Sequence, residues 1–349
     1  MAMLTGQVDC VVGVDPHKYE HVAAVVDHLG GLVAQTATAT SGIGNRNLLE
    51  WAMRSAPGRR VWAIEGTGSY GAPLTRMLVE LGEQVYEVDH PKRPTRRNGA
   101  KSDSIDALRA AREVLAADKL GQPRLGVDRE LVRSLLAARE LATNSRRTYL
   151  CSLKGELIHL PDGLRERLLG LTTTRLLETC RRLRLRPGQS AEVRQQVAQL
   201  RRLAERVREF EADAAADEAK LAHLMRRHAP GLLEIKGIGS VTAAAFFNGW
   251  CRAGRLRDEA AFAMLCGAAP IPASSGQQAR YRLNRGGDRR LNRALHQVTL
   301  CRMTHDAETR QYAARRYSEG KTSKEVQRCL KRFLARRVFR ILRQAASTP

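Results

Sequence analysis

The sequence predicts an α/β amino-terminal domain, a helical arm and a mainly α carboxy-terminal domain, and three observations carry that reading. Residues 1–124 alternate short apolar runs with amphipathic stretches. Residues 125–228 are dominated by long, charge-laced patterns rich in Leu, Ala, Arg and Glu. Residues 229–349 return to helix-length amphipathic segments interrupted by a Pro-, Ser- and Gly-marked loop. A chain of 349 residues with 43% hydrophobic residues has the material for two or three packed domains.

The first domain reads element by element. The apolar residues 8–14 form a buried strand ending at Asp15. Residues 20–40 give two strands, with the turn in Asp27–Gly31. A helix follows, with Ser41 as its cap and with Leu48, Leu49, Trp51 and Met53 along it. RVWAIEG (60–66) is a strand ending at Glu65. Residues 72–82 form a helix closed by Gly82, and 83–89 alternate as a strand. Residues 101–120 form a strong amphipathic helix. Strand, strand, strand, helix, strand, helix, strand, helix is the order of an RNase H-like sheet.

Beyond it, residues 128–158 and 189–228 predict two long helices, a hairpin or coiled-coil arm, with a link broken by Pro161, Gly163, Gly170 and Pro187. Such an arm either dimerises or packs as an internal bundle. In the last third, 232–247, 257–269, 286–305 and 323–344 read as helices, and 270–287 as a loop.

The net charge is +23, unevenly placed. Residues 1–120 hold 14 Lys/Arg and 14 Asp/Glu, residues 121–228 hold 22 and 14, and residues 229–349 hold 23 and 8. A neutral front and a back of net +15 fit a site next to a polyanion grip, because Lys and Arg on phosphates release counterions. The seven cysteines (10, 151, 180, 251, 266, 301, 329) contain no C-x-x-C and no zinc spacing, and read as thiols in a reducing compartment. No apolar run approaches membrane-spanning length and no signal peptide opens the chain, so a cytoplasmic, nucleoid-associated protein without membrane contact is expected.

Three constellations carry chemistry. Asp15 and Glu65 close strands, and Asp103 and Asp106 stand three apart at a helix start, sharing one face. Carboxylates gathered this way hold hard cations, Mg2+ or Mn2+, and two such ions can clamp an in-line phosphoryl transfer. Read singly, Asp103 is a helix N-terminal charge and Asp106 a solvated one. The second constellation is ASSGQQARYRLNRGGDRR: Ser274 and Ser275 precede Gly276, and Arg280, Arg282, Arg285, Arg289 and Arg290 follow. A serine beside an arginine cluster can attack a phosphodiester, although Ser-Gly is also ordinary turn chemistry. The third is IKGIGSVTAA, in which Gly237 and Gly239 before a helix fit either a phosphate-binding helix-hairpin-helix or a tight helix–helix turn.

These segments together resemble the DEDD transposases of the insertion-sequence 110 family, the bridge-RNA-guided recombinases. The resemblance rests on GVDPHK, IEGTGSYG, KSDSIDA, IKGIGSVTAA, and GAAPIPASSG followed by RLNRGGDRRLNRAL, and covers nearly the whole chain. It implies a RuvC-like first domain carrying the four acids Asp15, Glu65, Asp103 and Asp106. It also implies a coiled-coil arm and a carboxy-terminal transposase domain whose catalytic serine is Ser275, with Ser274 adjoining. The implied partners are donor and target DNA, a guide RNA, and further copies of the chain in a dimer or tetramer. The alternatives are a RuvC-like nuclease of the junction-resolvase type, using metal and water without a covalent intermediate, and an architectural nucleic-acid binder, which leaves the four acids unexplained.

Overall fold

β1 (Cys10–Pro16), β2 (Glu20–Asp27) and β3 (Leu32–Ala39) open the chain as an antiparallel meander. The β2–β3 turn is held by the Asp27 carboxylate, which accepts the N–H groups of Leu29 and Gly31 at 2.8 Å each. Gly30 supplies the positive φ of +84° that the turn requires. Helix α1 (Gly42–Ser55) starts at Ser41, whose hydroxyl accepts the Gly44 N–H. Then come β4 (Arg60–Glu65), α2 (Ala72–Glu80), β5 (Val85–Val88) and α3 (Asp103–Ala116). The sheet order is β3-β2-β1-β4-β5, with β1, β4 and β5 parallel. This mixed sheet with helices agrees with an RNase H-like domain. The structure is a computed structural model and describes residues 6–88, 103–117, 120–126, 128–185, 187–272, 281–282, 284 and 286–347.

The sheet is buried on both faces. On one, Val12, Val14, Val25, Trp62 and Ile64 pack with Leu48 of α1 and with Leu74 and Leu78 of α2. On the other, Val11, Val26, Val61, Ala63 and Tyr86 meet Ala110, Ala111, Val114 and Leu115 of α3. Each such large side chain contributes about 1.5–3 kcal/mol by leaving water. Trp62 stays polar-satisfied because its indole N–H donates to Glu83 at 2.8 Å.

Chain contacts define two units: Met1–Val127 with Trp250–Phe262, and Asp128–Gly249 with Ala263–Pro349. In the first, the segment from Trp250 brings Arg255 to Glu87 of β5 at 3.6 Å, where Arg124 also binds at 2.9 Å. All three charges are ion-paired, and Glu87 is only 7% exposed.

The second unit holds α4 (Arg129–Glu156) and α7 (Ala191–His228), packed along each other. The pairs Arg139–Glu218 (2.9 Å) and Arg146–Glu211 (2.7 Å) step seven residues forward on one helix and seven back on the other. The two helices are therefore antiparallel partners within one chain. Between them lie α5 (Asp162–Leu169) and α6 (Thr173–Arg182), in the stretch the sequence marked only as a broken link. Leu153, Leu168, Leu176, Leu177, Cys180, Leu200 and Val207 give this end of the hairpin a core of its own.

After α7 come α8 (Pro230–Leu233), α9 (Ser240–Trp250), α10 (Glu259–Leu265), the short pair β6 (Ile271–Pro272) and β7 (Tyr281–Arg282), then α11 (Arg289–His305), α12 (Ala307–Ser318) and α13 (Ser323–Ala345). Two expectations are corrected here. Residues 232–247 are not one helix, because the Ile238 N–H bonds back to the Ile235 carbonyl and Gly237 takes φ +90°, turning the chain between α8 and α9. The stretch between the last two expected helices contains α12, capped by Asp306, whose carboxylate accepts the Thr309 N–H. No described helix is long and apolar enough to cross a membrane.

Candidate active site

Asp15 and Glu65 reach one end of the sheet because β1 and β4 run parallel and in step. Val14 pairs with Ile64, so Asp15 and Glu65 are the next residues of neighbouring strands. Strand alternation sends both to the face that also carries Val11 and Ala63, the face α3 covers. Glu65 pairs with Val88, which lies on that face as well.

The direction of α3 follows from two contacts. Gly13 of β1 touches α3 so closely that a Cβ there would stand 2.0 Å from the Ala107 carbonyl oxygen and 2.7 Å from the Ala111 nitrogen. Further along, Arg112 donates to the carbonyl of Gly30 at 2.9 Å, beside the opposite end of β1. Hence α3 runs against β1, and its N-terminus lies at the Asp15 end. Asp103 opens α3 four residues before Ala107, a rise of about 6 Å, while Asp15 lies two residues past Gly13, about 6.6 Å. The start of α3 is therefore level with the two strand-end acids, and the positive end of its helix dipole faces them.

Asp106 stands on the first turn of α3 and binds Arg109 at 2.9 Å. The side chain of Asp103 lies outside the described residues. Among the described residues no group of three or more His, Cys, Asp or Glu gathers closely enough to hold a metal ion. His17, which the sequence reading passed over, has its Nε2 at 3.2 Å from the Asp15 carboxylate. The cue for it was the short DPHK run, which places an imidazole two residues past the strand-end acid. The loop after β4 is also anchored: buried Thr67 accepts the Arg124 N–H at 3.0 Å.

Ser274, Ser275, Arg280 and Arg285 lie outside the described residues, as does the side chain of Arg282, whose backbone is in β7. The base of that loop is described, and it is tightly built. Asn284 is buried, donating to the Met264 carbonyl at 3.1 Å and accepting the Gly286 N–H at 2.9 Å. Asn292 donates to the Cys266 carbonyl at 2.9 Å. Gly287 takes φ +93°, and a Cβ there would meet the Leu265 carbonyl at 2.6 Å. Asp288 caps α11 by accepting from Arg290 and Leu291. The RLNRGGDRRLN run is thus a clamp that fixes both ends of the β6–β7 hairpin against the end of α10, a role its arginines concealed. Burial, with the Asp288 charge, pushes the Cys266 thiol far up, so it packs rather than reacts.

Arg289 and Arg290 are exposed, and Arg290 pairs with Glu140 at 2.8 Å. Beside the clamp lies a hollow of about 550 Å³ lined by Asn284, Asn292, Arg316, Lys321, Arg328 and Lys331 among others. Burial holds the Lys331 ammonium below its ordinary range. Gly239 has open space around it at the start of α9, and Gly237 packs against Cys301 of α11.

Two family models match the chain. A model of DEDD transposases of the IS110 type, described as "Transposase", matches residues 12–157, and the "Transposase IS116/IS110/IS902 family" model matches residues 229–314. The chain belongs to the IS110 transposase family. It is a DNA transposase of an insertion sequence, and DNA is its substrate. The match to the first model spans β1 through α4, and so includes Asp15, Glu65, Asp103 and Asp106. The second spans the turn at Gly237 and the whole β6–β7 hairpin. No curated protein matches the chain.

Proposed function

We propose that this IS110-family transposase cleaves and rejoins DNA through Ser275, assisted by a divalent-metal site of Asp15, Glu65, Asp103 and Asp106 in a RuvC-like domain, with a bridge RNA choosing the DNA. The observation that carries the reading is the meeting of two strand-end acids and a helix start at one edge of the sheet. A cation joining carboxylates there would offset the repulsion between their like charges. An all-oxygen set of carboxylates suits Mg2+ or Mn2+. Bound there, the ion would neutralise the carboxylates and draw charge from a phosphate oxygen.

The chain's own groups do the rest. The Ser275 hydroxyl oxygen bonds to phosphorus as the bond from phosphorus to the sugar oxygen breaks, and the proton that the serine loses is taken up, in net terms, by that sugar oxygen, which departs as a free hydroxyl. Arg280, Arg282 and Arg285 hold the phosphate oxygens as their charge builds. The clamp of Asn284, Gly287, Asp288 and Asn292 fixes the ends of the loop that carries the serine. Rejoining reverses the step, and the working unit is a dimer or tetramer.

The test is a protein–DNA adduct that survives denaturant. Wild type and Ser274→Ala should form it, and Ser275→Ala should not, while still binding DNA. Adduct lost from Ser274→Ala instead would move the nucleophile by one residue. Metal-dependent cutting with no adduct in any of them would replace this reading with a RuvC-like nuclease.

A further inference from the structure

The turn between α4 and α7 is far larger than a turn needs to be. Antiparallel helices join through about 2–8 residues, yet Leu157–Ser190 intervenes, 34 residues carrying α5 and α6. It has its own apolar core and, by sequence, seven arginines against the three acids Asp162, Glu166 and Glu178. A groove of about 890 Å³ opens between α5, α6 and the beginning of α7. Its floor is apolar, with Leu171, Leu183 and Val197. Its walls carry Arg167, Arg175, Arg182 and Arg184, all exposed, against one acid, Glu178. Glu178 is engaged with Arg182 at 2.7 Å, and the other three have no acidic partner among the described residues.

We propose that this arm tip is a separate nucleic-acid site that takes a single-stranded segment, phosphates against the four arginines, sugars and bases on the leucine floor. The charge selects a polyanion, because unpaired guanidiniums bind phosphate oxygens in pairs. The size selects one strand: the volume is that of a small-molecule pocket, room for a few nucleotides and not for a duplex. The apolar floor selects it too, since only an unpaired strand can lay its bases down. The inference stands apart from the serine and the carboxylates, and either can fail alone.

The experiment uses the full-length protein and short fluorescent oligothymidine and oligouridine strands, titrated over a range of salt. The pair Arg175→Glu with Arg182→Glu is compared with Arg194→Glu and Arg201→Glu, an equal charge reversal on α7 outside the groove. The groove pair should weaken strand binding about tenfold and lower the log–log salt slope by about 2, one unit per lost phosphate contact. The control pair should do neither. Loss on one type of strand only supports the site and names whether DNA or RNA fills it. Equal loss from both pairs, which is bulk charge, overturns the proposal, and so does no loss from either. A groove pair that binds as wild type but changes the particle mass in light scattering also overturns it, since the groove would then hold another protein chain. Arg175→Gln with Arg182→Gln, of unchanged melting temperature, guards against misfolding and should also lower the slope by about 2, since it removes the same two contacts.

Discussion

Gly13→Ala adds one methyl group where the geometry leaves no room for it. The new Cβ would lie 2.0 Å from the Ala107 carbonyl oxygen and 2.9 Å from the Ala111 Cβ, both fixed parts of α3. Real Cβ atoms do not come nearer than 3.0 Å, so the helix must retreat by about 1 Å. Overpacking of this kind costs about 1–3 kcal/mol, and at roughly 2–4 °C per kcal/mol the melting temperature should fall by about 5 °C. The retreat also carries Asp103 and Asp106 away from Asp15 and Glu65. Displacement by about 1 Å of groups that must act together is expected to cost on the order of a hundredfold in rate. Val25→Ala, which empties space on the opposite face of the sheet, is the companion variant. It should lower stability at least as much, while leaving recombination near wild type at a temperature where both variants are folded. Calorimetry and a plasmid recombination assay read the two effects. The reasoning fails if Gly13→Ala melts and recombines as wild type, or if Val25→Ala loses as much activity for the same loss of stability.

Asp15→Asn and Glu65→Gln should each abolish recombination while the protein still folds and binds DNA, because each removes one carboxylate of the proposed site; activity retained in both would remove the metal site. DNA affinity should fall with salt with a log–log slope of several units, given the net charge of +15 in residues 229–349, and Arg282→Ala should weaken all sequences alike; a flat salt dependence contradicts the phosphate grip. His21 is fully buried, and burial holds its pKa below the ordinary value, partly opposed by the Asn45 side chain and aided by the charge of His17. The unfolded chain therefore takes up this proton first, so the stability present above about pH 6.5 is lost as pH falls below it. His21→Gln should flatten that loss in pH-dependent melting, and an unchanged acid slope would sink the assignment.

The elements of the first domain were readable because their signals are local. Val11, Val12 and Val14 announce a buried strand, Ser41 a cap, and Gly82, with φ +82°, a helix end. The neighbourhood of Asp15 and Glu65 was readable only as a position on two strands. What joins them is the Val14–Ile64 register and the direction of α3, both set by contacts across the sequence. The clamp around Asn284 and Asn292 was hidden for the same reason, since an asparagine among arginines looks like surface until its carbonyl partners are known. α12 was overlooked because its pattern is weakly amphipathic, with only Thr309 and Ala313 buried. In 232–247, the apolar residues on both sides of Gly237 masked a turn as a continuous helix.

The segment Trp250–Phe262 has a consequence for the order in which the protein is made. The first unit includes it, with Trp250, Cys251 and Phe262 all buried and Arg255 against Glu87. Its other residues have been synthesised by Val127, so the unit waits for 135 further residues before its last piece is complete at Phe262. At 5–20 residues per second that delay is about 7–27 s. During it the Glu87 carboxylate has Arg124 but lacks Arg255. A nascent chain stalled between those points, or a fragment cut after Val127, is a different object from the finished domain: assembled in outline, unsealed at one place, and dependent for closure on a part of the message not yet read.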